Sequence, residues 1–495
     1  MADREIGEGN KEGGLGAGEI AMGKLEPLKL AVMPTFLGIF AYLGPGILWA
    51  ALAQGSGELI WWPYLTAKYG AAFLGLLIPA SLLQYWVNLE IMRYVILTGE
   101  TPMTGFTRIG KWYSILIFIG IFIENMWFGA YASAGGTALG TLTQFPAGWS
   151  AAGRALFWGY LSIGIYLIAL TFGRVVYTVV EKFSMLIVLI TMTGVVAALV
   201  QPKVYSAAGQ FIPALLPHFS WPGNWDPKDL GILVTSIAYA GAGGFGQLFI
   251  GYWIRDKGAG MGKLIGRVTS PITGEPEAIP ATGYAFADSQ DNRKNYRGWV
   301  RYIAAENLVG IFLNTLTTVI MCWLAWALLM PEHKVPKGWE IAVVQSAFFE
   351  VAWGKVGKAL FLVVAAAFLC DAWLQLTDGF SRVWADFVYS NLKPARRYHF
   401  RTWYYLFVAL FSVTTIFTMA LAQPGKLIMI RGICSFLAMS VFCPGLIYLN
   451  YYLIPRAFPR WVQPHPINKL LMYLCTASYV GMSIAYLYLV LGGRM

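Results

Sequence analysis

The chain is 495 residues long, 57% hydrophobic and only 12% charged, with a mean hydropathy of +0.58. That composition excludes a soluble globule and points to a polytopic membrane protein. A net charge of +11 would suggest nucleic acid in a soluble chain. In a membrane chain the placement of Lys and Arg reports orientation instead, so no nucleic-acid partner is implied.

Residues 1–30 are glycine-rich, carry six acids and four bases and lack the apolar core of a signal peptide. They read as a disordered cytoplasmic tail. Apolar runs long enough to cross roughly 30 Å of hydrocarbon follow at about 33–68, 72–97, 112–142, 155–172, 176–200, 229–254, 302–330, 357–380, 402–422, 427–453 and 470–492. Eleven spanning helices are expected.

The first run, residues 43–65, is interrupted at its centre by Gly55-Ser56-Gly57-Glu58. In hydrocarbon every backbone N–H and C=O needs a partner, so unwound backbone at membrane depth survives only inside protein or beside a watery cavity. Two glycines let the chain leave helical geometry. Glu58 then lies at the N-terminus of the second half-helix, where the dipole favours negative charge. The first half-helix, ending near Gln54, offers carbonyl oxygens that attract cations.

The sixth run is interrupted in the same way by Gly241-Ala242-Gly243-Gly244-Phe245-Gly246. Transporters built from inverted repeats place discontinuous helices at matching points of their two halves. A 5+5 repeat follows: residues 31–200 form the first half, 201–228 an extracellular linker, and 229–453 the second half with a cytoplasmic loop at 255–301. Residues 454–495 add an inner loop and an eleventh helix. The solute site is expected between the breaks, at Gln54, Gly55, Ser56, Gly57 and Glu58 on one side. On the other side stand Tyr239, Ala240, Gly241, Gly243, Gly244 and Gln247.

Charges inside spans are costly, at least about 2.5–3.5 kcal/mol at mid-bilayer when uncompensated, and so mark candidates. Glu124 and Asn125 in the third run are a candidate proton acceptor and its neighbour. Asp371 and Gln375 in the eighth run make a polar stripe one turn apart, read as pathway lining. Asp378 and Arg382 have the spacing of an ion pair. Asn88, Glu90 and Arg93 read as an interfacial anchor and internal pair. Glu306, Asn307 and Asn314 fit either a polar channel or helix packing, and Arg431 is expected to snorkel from the outer start of the tenth run.

With the N-terminus in the cytoplasm, 24 bases fall inside and ten outside, with Arg93 and Arg431 within spans. This asymmetry implies a multi-pass protein, N-in and C-out, of a bacterial inner membrane. The five cysteines all fall in apolar runs with no CxxC and read as inert core residues. GAGMG in the long loop lacks the spacing of a phosphate-binding loop. Residues 201–229 read as an extracellular cap without regular structure, and 340–356 as a short helix outside the membrane. No hydrolytic motif, nucleotide motif or cofactor site stands out, so the chain reads as a non-enzyme without cofactors.

Gly44-Pro45-Gly46, eight residues and then a four-residue break resembles the first helix of the Nramp divalent-metal transporters, which reads Gly-Pro-Gly, eight residues, Asp-Pro-Gly-Asn. The stretch AKYG at 67–70 resembles the end of that helix. The resemblance covers helices one to ten and implies the leucine-transporter fold and proton coupling. It places Gly55 where the family has its metal-binding Asp and Glu58 where it has its metal-binding Asn. The family's Met-Pro-His falls near Gly244-Phe245-Gly246, so thioether and imidazole are both missing here.

Carboxylate, carbonyl and water suit hard cations rather than later transition metals. The chain is therefore expected to be a secondary transporter for a Mg²⁺-like divalent or other small cation, with Glu58 as metal ligand, protons and the lipid bilayer as further partners, and a monomer or weak oligomer as its state. Two alternatives stay open. One is a carrier for a small organic or inorganic solute, shaped by Trp49, Trp61, Trp62, Tyr239 and Phe245; the other is a membrane sensor or scaffold without flux.

Overall fold

The computed structural model describes residues 18–173, 176–336, 338–340 and 342–492, without the side chains of Ser56, Glu58, Val176, Tyr177, Val179, Val180 and Phe183. Among these residues eight helices are long and apolar enough to cross a membrane, and a ninth is the bent pair Ser184–Leu199 and Pro202–Phe211. Two discontinuous spans, at 45–69 and 230–256, complete a set of eleven.

In chain order, span 1 covers 45–69, span 2 Leu77–Thr98, span 3 Lys111–Thr143, span 4 Ala151–Phe172, span 5 Val176–Leu199 and span 6 230–256. Span 7 is Gln290–Leu324, span 8 Ala347–Asn391, span 9 Phe400–Thr418, span 10 Pro424–Tyr448 and span 11 Pro466–Leu491. Span 1 packs between spans 5, 7 and 8. The two halves of the molecule thus each open on a discontinuous helix.

Four stretches differ from the reading of the sequence. Residues 1–17 lie outside the described residues, but the expected disordered tail is ordered from Gly18 onward. Strands β1 (Glu19–Ile20) and β2 (Leu28–Leu30) pair antiparallel, and β2 pairs parallel with β3 (Tyr284–Ala285) in the long loop. Met22 and Leu28 are buried, and the buried Arg108 guanidinium donates to Met22 O at 2.7 Å. Such a guanidinium needs its donors satisfied: the Glu100 carboxylate takes Nε at 2.7 Å and Nη2 at 2.5 Å, and the N-terminal backbone at Met22 and Glu26 takes Nη1.

The second difference is that the loop expected to end at residue 301 becomes helix from Gln290, with the Ser289 hydroxyl accepting from the Asn292 N–H at 3.2 Å. This added stretch of about three turns carries Asp291, Arg293, Lys294, Arg297 and Arg301, so hydropathy alone could not find it. Third, the linker after span 5 holds short helices at Pro202–Tyr205 and Ala208–Phe211 instead of only irregular chain. Fourth, the short helix expected at 340–356 forms the opening of span 8, beginning at Ala347 and set off from the rest of the span where Trp353 and Gly354 leave helical geometry. No disulfide joins the five cysteines.

Candidate functional site

The break in span 1 is a widening of the helix, where the sequence leads one to expect unwinding. A helix Pro45–Ala53 passes into a π-helical segment Gln54–Trp61 and then a helix Trp62–Tyr69. The Trp62 N–H reaches back five residues to Gly57 O. π-segments inside helices recur at functional sites, and here the wide turn keeps the backbone bonded while displacing its carbonyls. Gln345 Nε2 donates to Leu59 O at 3.0 Å and satisfies one of them.

The start of span 1 explains Gly44-Pro45-Gly46. Buried Glu306 of span 7 accepts from the Gly44 N–H at 2.6 Å and the Gly46 N–H at 3.0 Å, flanking the proline that has no N–H to offer. Of the two alternatives open for Glu306, this is the packing one: a carboxylate at a helix N-terminus, where the dipole favours it. Replacing Glu306 with Ala is expected to cost about 1.5–3 kcal/mol, the range for hydrogen bonds to a charged group, with Glu306→Gln intermediate. Thermal unfolding in detergent measures it, and an unchanged midpoint for Glu306→Ala would refute the capping role.

Span 6 is open where span 1 is merely widened. Helix Leu230–Ala238 stops, Tyr239–Gly243 is non-helical, a 3₁₀ turn covers Gly244–Leu248, and helix Phe249–Asp256 follows. Gly243 and Gly244 hold φ of +65° and +53°, the left-handed region that glycine enters without penalty. Side-chain amides from neighbouring spans take up the carbonyls this exposes. Gln84 Nε2 donates to Ala238 O at 2.9 Å and Asn314 Nδ2 to Ala240 O at 3.1 Å.

The breaks face one another. A Cβ on Gly57 would lie 1.9 Å from Tyr239 O, and one on Gly241 2.6 Å from the Trp49 ring. Trp49 Nε1 donates to Gln247 Oε1 at 3.1 Å, and Gln247 in turn donates to Gln84, so one amide chain links spans 1, 2 and 6. Gln54 Nε2 donates to Thr317 Oγ1 of span 7 at 3.1 Å. The described residues 54, 55, 57 and 239–248 are all buried. Gln54, Gly55, Gly57, Tyr239, Ala240, Gly241, Gly243, Gly244 and Gln247 therefore meet in one closed region; the side chains of Ser56 and Glu58 lie outside the described residues.

Glu124 joins that region from span 3. Its Oε1 pairs with Arg431 Nη2 at 2.8 Å and accepts from Ser435 Oγ at 2.8 Å, while Oε2 accepts from the Phe245 N–H at 3.3 Å. Arg431 Nη1 donates to the hydroxyls of Tyr239 at 2.6 Å and Tyr131 at 3.0 Å. Arg431 is 2% exposed, which overturns the expectation that it snorkels: in a closed bundle the guanidinium finds a carboxylate and two phenols inward. Asn125 has an amide oxygen without a partner among the described residues and touches none of this cluster by hydrogen bond.

Asp371 and Gln375 form a second buried cluster. Asp371 Oδ2 accepts from Gln375 Nε2 at 2.7 Å and from Ser184 Oγ of span 5 at 2.9 Å. The cluster lies beside span 1, because a Cβ on Gly55 would come within 2.6 Å of Ala372 Cβ. Asp378 and Arg382 do pair, at 2.8 Å, and Arg382 also engages Asp256 at the end of span 6. Glu90 and Arg93 pair at 2.7 Å. At the far end of span 1, Asp229 collects Lys68 Nζ at 2.7 Å, Tyr69 OH at 2.7 Å and Tyr64 OH at 3.0 Å, which ties the AKYG stretch to the start of span 6.

Among the oxygens near the breaks without a hydrogen-bond partner among the described residues are Gln54 Oε1, Asn314 Oδ1, Gln345 Oε1, Asp371 Oδ1 and Gln375 Oε1. Among the described residues no three His, Cys, Asp or Glu side chains cluster as a metal site. Ser184, Gln84, Thr317, Tyr131 and Ser435 were not legible in the sequence, since neutral polar residues in apolar runs carry no signal of which partner they meet.

No protein-family model matches the chain. A curated relative, an uncharacterized protein of Pasteurella multocida, is 36% identical over 80 residues, which is 16% of this chain and 18% of that protein's length. Among solved structures, a manganese transporter of Eremococcus coleocola superposes with a TM-score of 0.64 at 13% identity, covering 93% of this chain and 89% of that one. A nucleobase-cation-symport-1 family transporter, solved closed with bromovinylhydantoin bound, gives 0.51 at 14% identity over 92% and 95%. The chain has the leucine-transporter fold and is a multi-pass integral membrane protein.

Proposed function

We propose that the chain is a secondary transporter related to the Nramp divalent-metal transporters, moving a hard divalent cation of the Mg²⁺ type between the two breaks with Glu58 as its charged ligand. The observation that carries this reading is the donor chemistry of the closed region. Gln54 Oε1 and Asn314 Oδ1 are buried, unpartnered amide oxygens on spans 1 and 7, and oxygen donors suit hard cations. The break residues 54–58 and 239–247 include no Met, Cys or His. A superposition covering 93% of the chain on a manganese transporter supports the class of solute.

Glu124 is committed to Arg431, so it serves to hold the span 6 break in place. Proton coupling, if the carrier uses it, then rests on Glu58 or Asp371; the hydrogen bonds described for Asp371 come from Ser184 and Gln375, and no described ion pair involves it. A small organic solute is the second reading, favoured by the neighbour solved with bromovinylhydantoin.

Uptake of Mg²⁺, Ca²⁺ and Mn²⁺ by proteoliposomes, with internal pH followed, tests the proposal. Wild type is expected to carry a hard cation, and Glu58→Gln to fall to the protein-free background. Absence of flux for all three ions, or undiminished flux in Glu58→Gln, would overturn the cation reading.

A further inference from the structure

The face of the bundle that carries the N-terminal segment holds a basic cavity that the transport reading does not use. Arg293, Arg297 and Arg301 recur every fourth residue along the start of span 7 and so share one side of the helix. With Lys294, Gln290, Asn295, Gly298 and Phe36 they line a cavity of about 580 Å³. None of the lining residues is acidic.

The opposite wall is the segment before span 1, and it is fastened in place. Asn292 Oδ1 accepts from the Met33 N–H at 3.1 Å, Asn295 Oδ1 from the Phe36 N–H at 3.2 Å, and Trp299 Nε1 donates to Pro34 O at 2.8 Å. The Arg293 guanidinium lies over the Trp461 ring at 5.3 Å. Among the described ion pairs none involves Arg293, Lys294, Arg297 or Arg301, and the nearby Asp288 accepts from Trp461 Nε1 at 2.7 Å.

The same segment turns apolar side chains outward: Val32 is 76% exposed, Leu37 68% and Phe40 90%. Water disfavours such a patch, whereas the headgroup and acyl boundary of a bilayer accepts it. The apolar run of span 7 begins just after Arg301, which sets the cavity at that boundary. Orientation by charge would require bases in the loop, but it would not require them to converge on one walled cavity beside exposed apolar residues.

We propose that this cavity seats the phosphate of an anionic phospholipid headgroup, with its acyl chains along Leu37 and Phe40. Basic pockets beside spanning helices recognise such headgroups, at about 1 kcal/mol for each Lys or Arg near the surface. Removing two cations should therefore weaken binding roughly thirtyfold.

The test uses the purified full chain, delipidated and titrated with phosphatidylglycerol or phosphatidylcholine, with bound lipid counted by native mass spectrometry. Arg297→Gln combined with Arg301→Gln, both at exposed positions, is expected to lose about thirtyfold in phosphatidylglycerol affinity. The control Lys263→Gln with Arg397→Gln, which removes the same charge from exposed positions on the same face, should bind as wild type. Arg297→Lys with Arg301→Lys should retain binding, which separates lost charge from lost fold. Equal losses in the glutamine pair and the control, equal binding of the two lipids, or displacement of phosphatidylglycerol by inorganic phosphate would each overturn the proposal.

Discussion

Replacing Arg431 with Met is expected to be among the most destabilising single changes in the chain, at about 3–5 kcal/mol, the cost of leaving one member of a buried ion pair uncompensated. Glu124 would keep only Ser435 Oγ at 2.8 Å and the Phe245 N–H at 3.3 Å around a carboxylate that is fully buried. Tyr239 would lose its donor from Arg431, so the wall of the span 6 break would loosen as well. Glu124→Gln alone should cost less, because Arg431 keeps the two phenol oxygens. The double variant Glu124→Gln with Arg431→Met should recover much of the single Arg431 loss, since it removes both charges together.

Thermal unfolding of the four proteins in detergent closes the cycle, and the coupling is the quantity of interest. If the two single losses merely add in the double variant, the pair does not act as a unit and its assigned role in holding the break fails.

Gly57→Ala should disable the molecule through sterics alone. The added Cβ would stand 1.9 Å from Tyr239 O and 2.6 Å from Tyr239 Cβ, and neither can swing away. One is backbone, and the other belongs to a side chain held by Arg431. Overpacking of this kind costs about 1–3 kcal/mol and sometimes more, and the relief available is to push spans 1 and 6 apart at the proposed solute site. Transport should then fall more steeply than stability.

Gly246→Ala is the matched control. It lies in the same break, but its nearest neighbours to a Cβ, Ala242, Arg431 and Leu52, are 4.0 Å away, so unfolding and uptake should stay near wild type. Equal behaviour of the two variants would refute the claim that direct backbone contact between the breaks sets the geometry of the site.

How far the sequence reaches differs from one residue to the next. The glycine clusters at 55–58 and 241–246 announce both breaks because backbone that leaves the helix in hydrocarbon requires a local composition. Their forms were not legible: span 1 takes a π-turn whose bonds close within the segment, and span 6 opens because Gln84 and Asn314, distant in sequence, accept the burden of its carbonyls. Asp378 and Arg382 could be paired on paper since one helical turn separates them. Asp256, 126 residues away, could not be added to that pair.

Arg431 shows the same limit most sharply. A lone arginine in an apolar run is visibly exceptional, and hydropathy places it near a span end, where snorkelling is the economical outcome. Its carboxylate partner lies 307 positions away, and no local rule relates spans 3 and 10. Sequence by itself determined what depends on neighbours along the chain: membrane residence, the number of spans, the two breaks and the charge to be hidden. The tertiary structure alone decided which buried charge meets which, what caps the first helix and where the bases before span 7 converge, because those choices are made by side chains brought together only when helices far apart in sequence pack.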